Sequence, residues 1–235
     1  MIELNADIGE GCDDAGLMPY LGRVSIACGG HTGDAASMIA ALQLAEAYGV
    51  PAGAHPSYPD RDRFGRHPLA ATDAEVSAWV TQQTETLAEH AARRGSRLTH
   101  VKPHGALYNT AGSNPDVAAA IVRAIASLDP TLALVGMSGS ALIAAGRAAG
   151  LTVLNEAFAD RRYQADGRLV SRETPGAMLL RPDLAARQAG ALAKGEPIAV
   201  EGGWLTVRAD TLCLHSDTPG AFKIARAVHA ALYRG

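Results

Sequence analysis

Cysteine is scarce in this chain of 235 residues, and its three cysteines form no recognisable motif. Cys12, Cys28 and Cys213 are odd in number and show no C-x-x-C spacing, which argues against a disulfide framework and against a structural zinc site. We therefore expect free thiols in a reducing compartment, the cytoplasm. A chain of this length buries enough apolar surface to fold without a covalent or metal cross-link.

The sequence also lacks long apolar runs, clusters of positive charge and the common nucleotide motifs. No stretch reaches the roughly 18 apolar residues that a membrane span needs, and the acidic opening MIELNADIGEGC is unlike a signal peptide. A net charge of -3 with scattered lysine and arginine predicts no nucleic-acid and no membrane partner. Neither GxxxxGK[ST], nor GxGxxG after a strand, nor GxSxG is present. Any nucleotide would therefore bind by another route or through a partner.

Short apolar segments alternate with longer helical patterns along the whole chain. Thr72 and Glu75 form a predicted capping box at the start of one helix, and Gly49 follows the end of another. The β-α alternation is typical of a parallel sheet, and about seven strands favour a closed or nearly closed α/β barrel over a doubly wound open sheet. No linker or change of composition interrupts residues 1–235, so we predict a single domain.

Ionisable and polar side chains collect where the predicted strands end. In a parallel barrel the carboxyl ends of the strands meet at one rim, and sites form there. The residues expected at this rim are Asn5, Asp7, Glu10, His31, His55, Lys102, His104, Asp160, Arg161, His215 and Asp217. Taken singly, Asp7 can cap a turn, His31 can orient its glycine-rich turn, and His55 can be a hydrogen-bonded core histidine. Several strands that deliver such groups to one rim indicate a site more strongly than any single residue does.

The segment HVKPHGALYN places three ionisable side chains on one face of a predicted strand. Such groups are costly against an apolar core, so His100, Lys102 and His104 indicate either a solvated edge or a site. Lys102 and His104 lie nearest the carboxyl end and are the site candidates. Lys102 would hold a carboxylate or phosphate, or polarise a carbonyl. His100 lies deeper, and we expect it to be a hydrogen-bonded support.

Asp7, His55 and His104 make a candidate metal triad of one carboxylate and two imidazoles from three strands. Such a set suits a divalent ion that activates water. No local motif fixes the triad, and a neutral histidine beside an acid serves equally as a general acid or base. From the residues alone both interpretations stay open. The long polar segment that follows Phe158 indicates a functional loop.

Six segments, in order, resemble the LamB/YcsF lactam-utilisation family, which forms the A subunit of bacterial 5-oxoprolinase. They are LNADIGEG, SIACGGHTGD, GAHPSYPDRDRFGR, HVKPHGALYN, EAFADRRYQADGRLVSR and LCLHSDTPGA, and together they span nearly the whole chain. The chain departs from the family pattern at several positions. Gly30 stands where phenylalanine is common, and Ser57 and Ser216 stand where glycine is common. None of these changes removes an ionisable residue of the predicted site.

The resemblance implies an irregular seven-stranded (β/α) barrel similar to the glycoside hydrolase/deacetylase fold. It also implies ATP-dependent opening of 5-oxo-L-proline to L-glutamate, carried out together with B and C subunits, with ATP bound through the assembled complex. The implied catalytic residues are Asp7, Glu10, His31, Lys102 and His104, and the implied substrate-binding residues are Asn5, His55, Asp160, Arg161, His215 and Asp217. A divalent metal on Asp7, His55 and His104 remains an open alternative.

Two other functions fit the same residues. One is a metal-dependent deacetylase or amide hydrolase that needs no ATP, and turnover by the chain alone with metal would favour it. The other is a non-catalytic subunit that delivers 5-oxoproline to its partners. Binding of 5-oxoproline, combined with no effect of acid and histidine substitutions on turnover, would favour the delivery role.

Overall fold

The computed structural model describes residues 2–233, and within them seven parallel strands close into a barrel. The barrel order is β1-β2-β3-β4-β5-β6-β9, and β9 pairs in parallel with both β6 and β1. The strands are β1 (Glu3–Ile8), β2 (Arg23–Ala27), β3 (Ala52–His55), β4 (His100–Val101), β5 (Ala133–Met137), β6 (Val153–Phe158), β7 (Ile198–Val200), β8 (Gly203–Leu205) and β9 (Thr211–Cys213). The predicted α/β barrel is confirmed, and the doubly wound open sheet is excluded.

Helices follow most of the strands and pack around the barrel. They are α1 (Ala35–Tyr48), α2 (Asp73–Arg93), α3 (Gly105–Ser113), α4 (Pro115–Leu128), α5 (Ala141–Ala148), α6 (Pro182–Lys194) and α7 (Ala221–Tyr233). The predicted capping box of Thr72 and Glu75 begins α2, and Gly49 ends α1 in the left-handed conformation. No helix in the described part of the chain is both long and apolar enough to cross a membrane.

Strand alternation separates an apolar layer from a polar barrel interior. In β1, Leu4, Ala6 and Ile8 belong to the hydrophobic core, whereas Asn5 and Asp7 make polar contacts across the barrel. Period-two alternation produces this separation, because neighbouring side chains of a strand point to opposite faces. The sequence therefore concentrates hydrogen-bonding groups inside the barrel and aliphatic groups against the helices.

His100 lies inside the barrel, one layer below Lys102, and is fully buried. Its Nε2 lies 3.2 Å from Ser25 Oγ, and its Nδ1 lies 2.9 Å from Thr99 Oγ1. A Cβ at position 53 would collide with the imidazole ring, so Gly53 makes room for it. The expectation of a hydrogen-bonded support is confirmed for His100.

Two predicted strands form, but one is shorter than the sequence pattern indicates and the other lies outside the barrel. The predicted fourth strand LTHVKPH pairs as a strand only at His100–Val101, since Pro103 has no N–H and α3 begins at Gly105. His104 is consequently the N-cap residue of α3, a helix that the sequence patterns did not predict. The late segment PIAV forms β7, which pairs antiparallel with β8 in a separate hairpin and takes no part in the barrel.

Candidate functional site

A cavity of about 860 Å³ opens at the carboxyl ends of the barrel strands. Its volume lies in the range of small-molecule sites, about 300–1,000 Å³. The lining includes Asp7 of β1, His55 of β3 and Glu156 of β6. One wall comes from residues 159–181, the segment between β6 and α6 that we call the strap. The long polar segment predicted after Phe158 therefore does border the cavity.

Lys102 lies at the centre of the cavity floor and is held by four groups. Its Nζ lies 2.9 Å from Asp7 Oδ1 and 2.8 Å from Glu156 Oε1. It also donates to Asn5 Oδ1 at 3.1 Å and to Cys213 Sγ at 3.3 Å. Burial by itself lowers the pKa of Lys102, but the neighbouring carboxylates outweigh burial and raise this pKa well above its usual range. Lys102 is therefore a fixed ammonium ion.

Two imidazole rings face each other beside this lysine. His104 Nε2 lies 2.9 Å from the carbonyl oxygen of Phe64, and His55 Nδ1 lies 2.7 Å from the carbonyl oxygen of Lys102. Because a carbonyl accepts, each of these nitrogens carries a proton. The opposite nitrogens, His104 Nδ1 and His55 Nε2, point at each other across 3.0 Å. A proton or a cation must lie between them, since two lone pairs at that distance repel.

Two carboxylates complete this cluster. Asp7 Oδ2 lies 3.3 Å from His55 Nε2, and Glu10 Oε1 lies 3.4 Å from His104 Nδ1. Glu10 Oε1 also lies 2.9 Å from Nε2 of His31, whose ring stacks on the His104 ring with centroids 3.6 Å apart. Three histidines and two acids from the ends of four strands, β1 to β4, thus meet in one place.

The two acids differ in their proton affinity. Burial tends to raise the pKa of Asp7, yet His55 and Lys102 hold this pKa well below its usual range. Burial raises the pKa of Glu10, and the charge of Asp7 raises it further. Asp7 is therefore a permanently charged, ion-paired group, whereas Glu10 is the acid whose proton affinity is closer to neutral pH.

The three imidazoles also differ in their pKa values. Burial lowers the pKa of His31 and of His104 to about 2, and the charge of His55 adds to the effect. For His55 burial also acts to lower the pKa, but the carboxylates of Asp7 and Glu10 outweigh it and raise the pKa. His55 is thus the ring with the higher proton affinity of the two that face each other.

The same donor set fits a divalent cation. Glu10, His31 and His104 each offer a ligand atom, and these atoms lie within 4.8 Å of one another. The backbone carbonyls that hold the far nitrogens of His55 and His104 are the partners that metal-binding imidazoles usually have. A cation there would activate a water molecule in the cavity. The metal triad predicted from sequence, Asp7 with His55 and His104, stays a prediction, and Glu10 and His31 join its candidates.

Ion pairs link three loops at the mouth of the cavity. Asp217, which follows β9, lies 2.6 Å from Arg66 Nη2 and 3.0 Å from Arg172 Nη1. Arg66 follows β3, and Arg172 belongs to the strap. Because these groups are partly exposed, their interaction is screened and weak in energy. Its structural effect is to hold the three loops together around the opening.

A model of the LamB/YcsF family matches residues 2–235 of the chain. The chain is also 47% identical, over 238 aligned positions, to a protein from Chloroflexus aggregans (strain MD-66 / DSM 9485) that is named as the A subunit of 5-oxoprolinase. That alignment covers 98% of this chain and 94% of its relative. The chain belongs to the LamB/YcsF family.

Solved structures agree with this membership. The crystal structure of the lactam utilization protein from Thermus thermophilus superposes with a TM-score of 0.93 at 40% identity, covering 99% of this chain and 96% of the other. A family 4 carbohydrate esterase from Streptomyces lividans in complex with acetate reaches a TM-score of 0.43 at 11% identity over 98% of this chain and 86% of the other. The second likeness is too small to carry an argument.

Most residues predicted for this LamB/YcsF site meet in the cavity, and three lie behind its wall. The lining includes Asp7, Glu10, His55, Lys102, His104, Arg161, His215 and Asp217. Asn5 and Asp160, predicted to bind substrate, are fully buried, and their oxygens are used inside the protein. Asn5 bonds to Thr211 and Lys102, and Asp160 bonds to His215. These two residues position others and do not touch the cavity. His31 is likewise covered, and it reaches the cavity through Glu10.

Sequence reasoning missed Glu156 and Tyr108. Glu156 is fully buried, pairs with Lys102 through Oε1, and accepts a hydrogen bond of 2.8 Å from the Tyr108 hydroxyl at Oε2. A signal was available, because an acidic residue inside the largely apolar strand segment LTVLNEAFA is costly to bury unless it is paired. Tyr108 belongs to α3, the helix that the patterns did not reveal.

Proposed function

We propose that this chain is the A subunit of a 5-oxoprolinase, which opens 5-oxo-L-proline to L-glutamate with hydrolysis of ATP to ADP and phosphate. Besides family membership, the observation that carries the proposal is the cluster of Glu10, Asp7, His55 and His104 beside the fixed ammonium of Lys102. A buried group of acid, base and cation at one end of a small-molecule cavity suits attack by water on an amide carbonyl.

In the proposed reaction, ATP phosphorylates the carbonyl oxygen of the lactam, and water then adds to the carbonyl carbon. The ring C–N bond breaks with protonation of the nitrogen, and a second water hydrolyses the resulting acyl phosphate. Glu10 is the better base, because its raised pKa gives it more proton affinity than the ion-paired Asp7. Lys102 would stabilise the oxyanion. ATP would bind through the assembled complex with B and C subunits, because the sequence has no P-loop.

The test is co-expression with the neighbouring reading frames, followed by an assay of ATP-dependent glutamate release from 5-oxo-L-proline. We expect turnover only when ATP and the complete complex are present. Replacement of Glu10 by Gln, or of His104 by Ala, is expected to lower kcat at least about 100-fold, the usual contribution of a positioned general base or acid. His90→Ala on α2, a histidine outside the cavity lining, is the control and should keep full turnover. Full activity of both site variants would contradict the assignment.

A second candidate function is hydrolysis of an amide or acetyl group with a bound divalent metal and no ATP. The convergence of Glu10, His31 and His104 within 4.8 Å favours it. Turnover by the isolated chain with added Zn²⁺ or Mn²⁺, in the absence of ATP, would support this alternative over the first proposal. Loss of all activity without ATP would exclude it.

A further inference from the structure

Arg161 is a buried cation that forms no ion pair with any residue of the described range 2–233. It lies in the strap directly after β6, is 6% exposed and lines the cavity. Its hydrogen bond runs from Nη2 to the carbonyl oxygen of Val170 at 2.6 Å, while Nε is buried and has no partner within residues 2–233. Burial and the charge of Arg172 lower the pKa of Arg161 to about 10. An uncompensated buried charge is costly, so such a group usually has a function.

Of the other lysine and arginine side chains in the lining, Arg63 also has no ion pair within residues 2–233, but it is exposed, whereas the rest are paired. Lys102 has Asp7 and Glu156, and both Arg66 and Arg172 have Asp217. The carboxylate nearest to Arg161 in sequence, that of its neighbour Asp160, is already in use. Its oxygens accept from the His215 backbone N–H at 3.1 Å, face His215 Nδ1 at 3.0 Å and accept from Thr218 Oγ1 at 3.2 Å. Within residues 2–233, Arg161 therefore has no carboxylate partner, and Nη2 is the guanidinium nitrogen that makes a hydrogen bond.

The strap holds this arginine in place before any ligand arrives. Gln188 of α6 donates through Nε2 to the carbonyl oxygens of Arg161 at 2.7 Å and Phe158 at 2.8 Å. The N–H of Arg162 donates to Ala177 O at 2.8 Å on the returning arm of the strap. A backbone fixed on both sides loses little conformational freedom when the side chain binds a ligand.

We propose that Arg161 recognises the carboxylate of a cyclic-amide substrate, and so selects lactams that carry an acid group over those that do not. This inference rests on the proposed function and names its specificity residue. The planar fork of a guanidinium matches a carboxylate with two hydrogen bonds. One buried positive charge is balanced by one negative charge. A phosphate group, with a charge of about -1.5 to -2, would leave an excess beside the buried carboxylate of Asp160.

The experiment measures ligand binding to the full chain by calorimetry, with 5-oxo-L-proline and its carboxamide as a matched pair. These ligands share the ring and differ in the charge of one group. We expect the wild type to prefer the carboxylate by about 10- to 100-fold, the usual value of a hydrogen bond to a charged group. Arg161→Met should bring the ratio close to one, and Arg161→Lys should keep part of it. Arg181→Met, an exposed strap arginine paired with Asp183, is the control and should keep the wild-type ratio.

A second measurement separates recognition from a structural role. If Arg161 is uncompensated in the free protein, Arg161→Met should melt at the same temperature or higher without ligand, and 5-oxo-L-proline should raise the melting temperature of the wild type only. Three results would each overturn the inference. The wild type could show no preference for the carboxylate, Arg161→Met could keep the preference, or the melting temperature of Arg161→Met could drop strongly. The inference would also be overturned if Arg161→Met lost only the binding of inorganic phosphate and kept the binding of 5-oxo-L-proline. Carboxylate selection without ATP-dependent turnover in the assembled enzyme would instead refute the proposed function and leave the role of Arg161 standing.

Discussion

Gly30 and Ser57, two positions at which the chain departs from the family pattern, lie next to each other in space. A Cβ at Gly30 would collide with Ser57 Oγ and with Gln83 Oε1. Gln83 in turn accepts from the Ser57 N–H at 2.9 Å and donates to the Ser57 carbonyl oxygen at 2.8 Å. The hydrogen-bonded pair of Ser57 and Gln83 thus fills the space beside Gly30. Glycine at position 30 is therefore needed as long as Ser57 and Gln83 occupy that space.

This packing predicts opposite effects for two glycine substitutions. Gly30→Ala should destabilise the fold by about 1–3 kcal/mol, because the new methyl group is forced against a filled space. Gly190→Ala in α6 meets no atom within 4 Å and should stabilise the fold by about 0.5–1 kcal/mol through helix propensity. Urea denaturation of both variants measures the difference. Equal stability of Gly30→Ala and the wild type would show that Gln83 gives way.

Asp14 makes the folding stability of the chain depend on pH. Its Oδ2 accepts from the Gly9 N–H at 2.8 Å, and burial, with help from the charge of Glu10, raises the pKa of Asp14 to about 6. The folded chain therefore binds this proton more tightly than the unfolded chain. Between the unfolded pKa near 3.8 and about 6, the contribution of Asp14 to stability falls as the pH rises.

Asp14→Asn removes this penalty and keeps a side-chain acceptor for Gly9. The variant should match the wild type in unfolding free energy near pH 4 and exceed it by about 1 kcal/mol above pH 6, a value reduced because the carboxylate is partly exposed. Asp62→Asn, an exposed acid that is not among the charges that shift the pKa of Asp14, is the control. A difference between Asp14→Asn and the wild type that does not change with pH would contradict the shifted pKa.

At the scale of elements, the strap depends on α6. Gln188 donates to carbonyl oxygens at both ends of the turn that leaves β6. Gln188→Leu would leave these carbonyls without their donor, at a cost of about 1–3 kcal/mol. We expect faster hydrogen exchange in residues 159–181 and unchanged exchange in α1 and α2. Gln43→Leu, an exposed glutamine of α1, should alter neither region. Exchange that rises evenly over the whole chain would mean that Gln188 supports the fold and not the strap alone.

Strand ends could be predicted from the sequence because each barrel strand is a short apolar run that stops at polar residues. That pattern brought Asp7, His55, Lys102 and His104 to one rim. It did not reveal α3, because GALYNTAGS begins with a glycine, ends in small polar residues and has a weak apolar face. It also did not separate residues that touch the cavity from those one layer behind. Asn5 lies on the same face of β1 as Asp7 but earlier in the strand, and Asp160 follows the end of β6. Their contacts with Lys102 and His215, which keep them behind the cavity wall, cannot be read from the sequence pattern.

For the whole molecule, metal binding would appear as added stability. A cation that binds the folded chain alone at 100 times its dissociation constant stabilises it by about 2.7 kcal/mol. We expect Zn²⁺ or Mn²⁺ to raise the melting temperature of chelator-treated protein, and His104→Ala to abolish the shift. His90→Ala should keep it. No shift in the wild type at saturating metal would favour the interpretation in which His55 holds a proton between the facing nitrogens.

The pairing of β9 with both β6 and β1 also has a consequence for synthesis of the chain. β1 leaves the ribosome before the other barrel strands, yet its second neighbour, Thr211–Cys213, is made more than 200 residues later. Until then the growing barrel has two open edges, and open edges invite pairing with other chains. Contacts of such long sequence separation form slowly. We therefore expect pairing of nascent chains with one another to be possible until this three-residue strand, the last of the barrel strands to be made, closes the barrel.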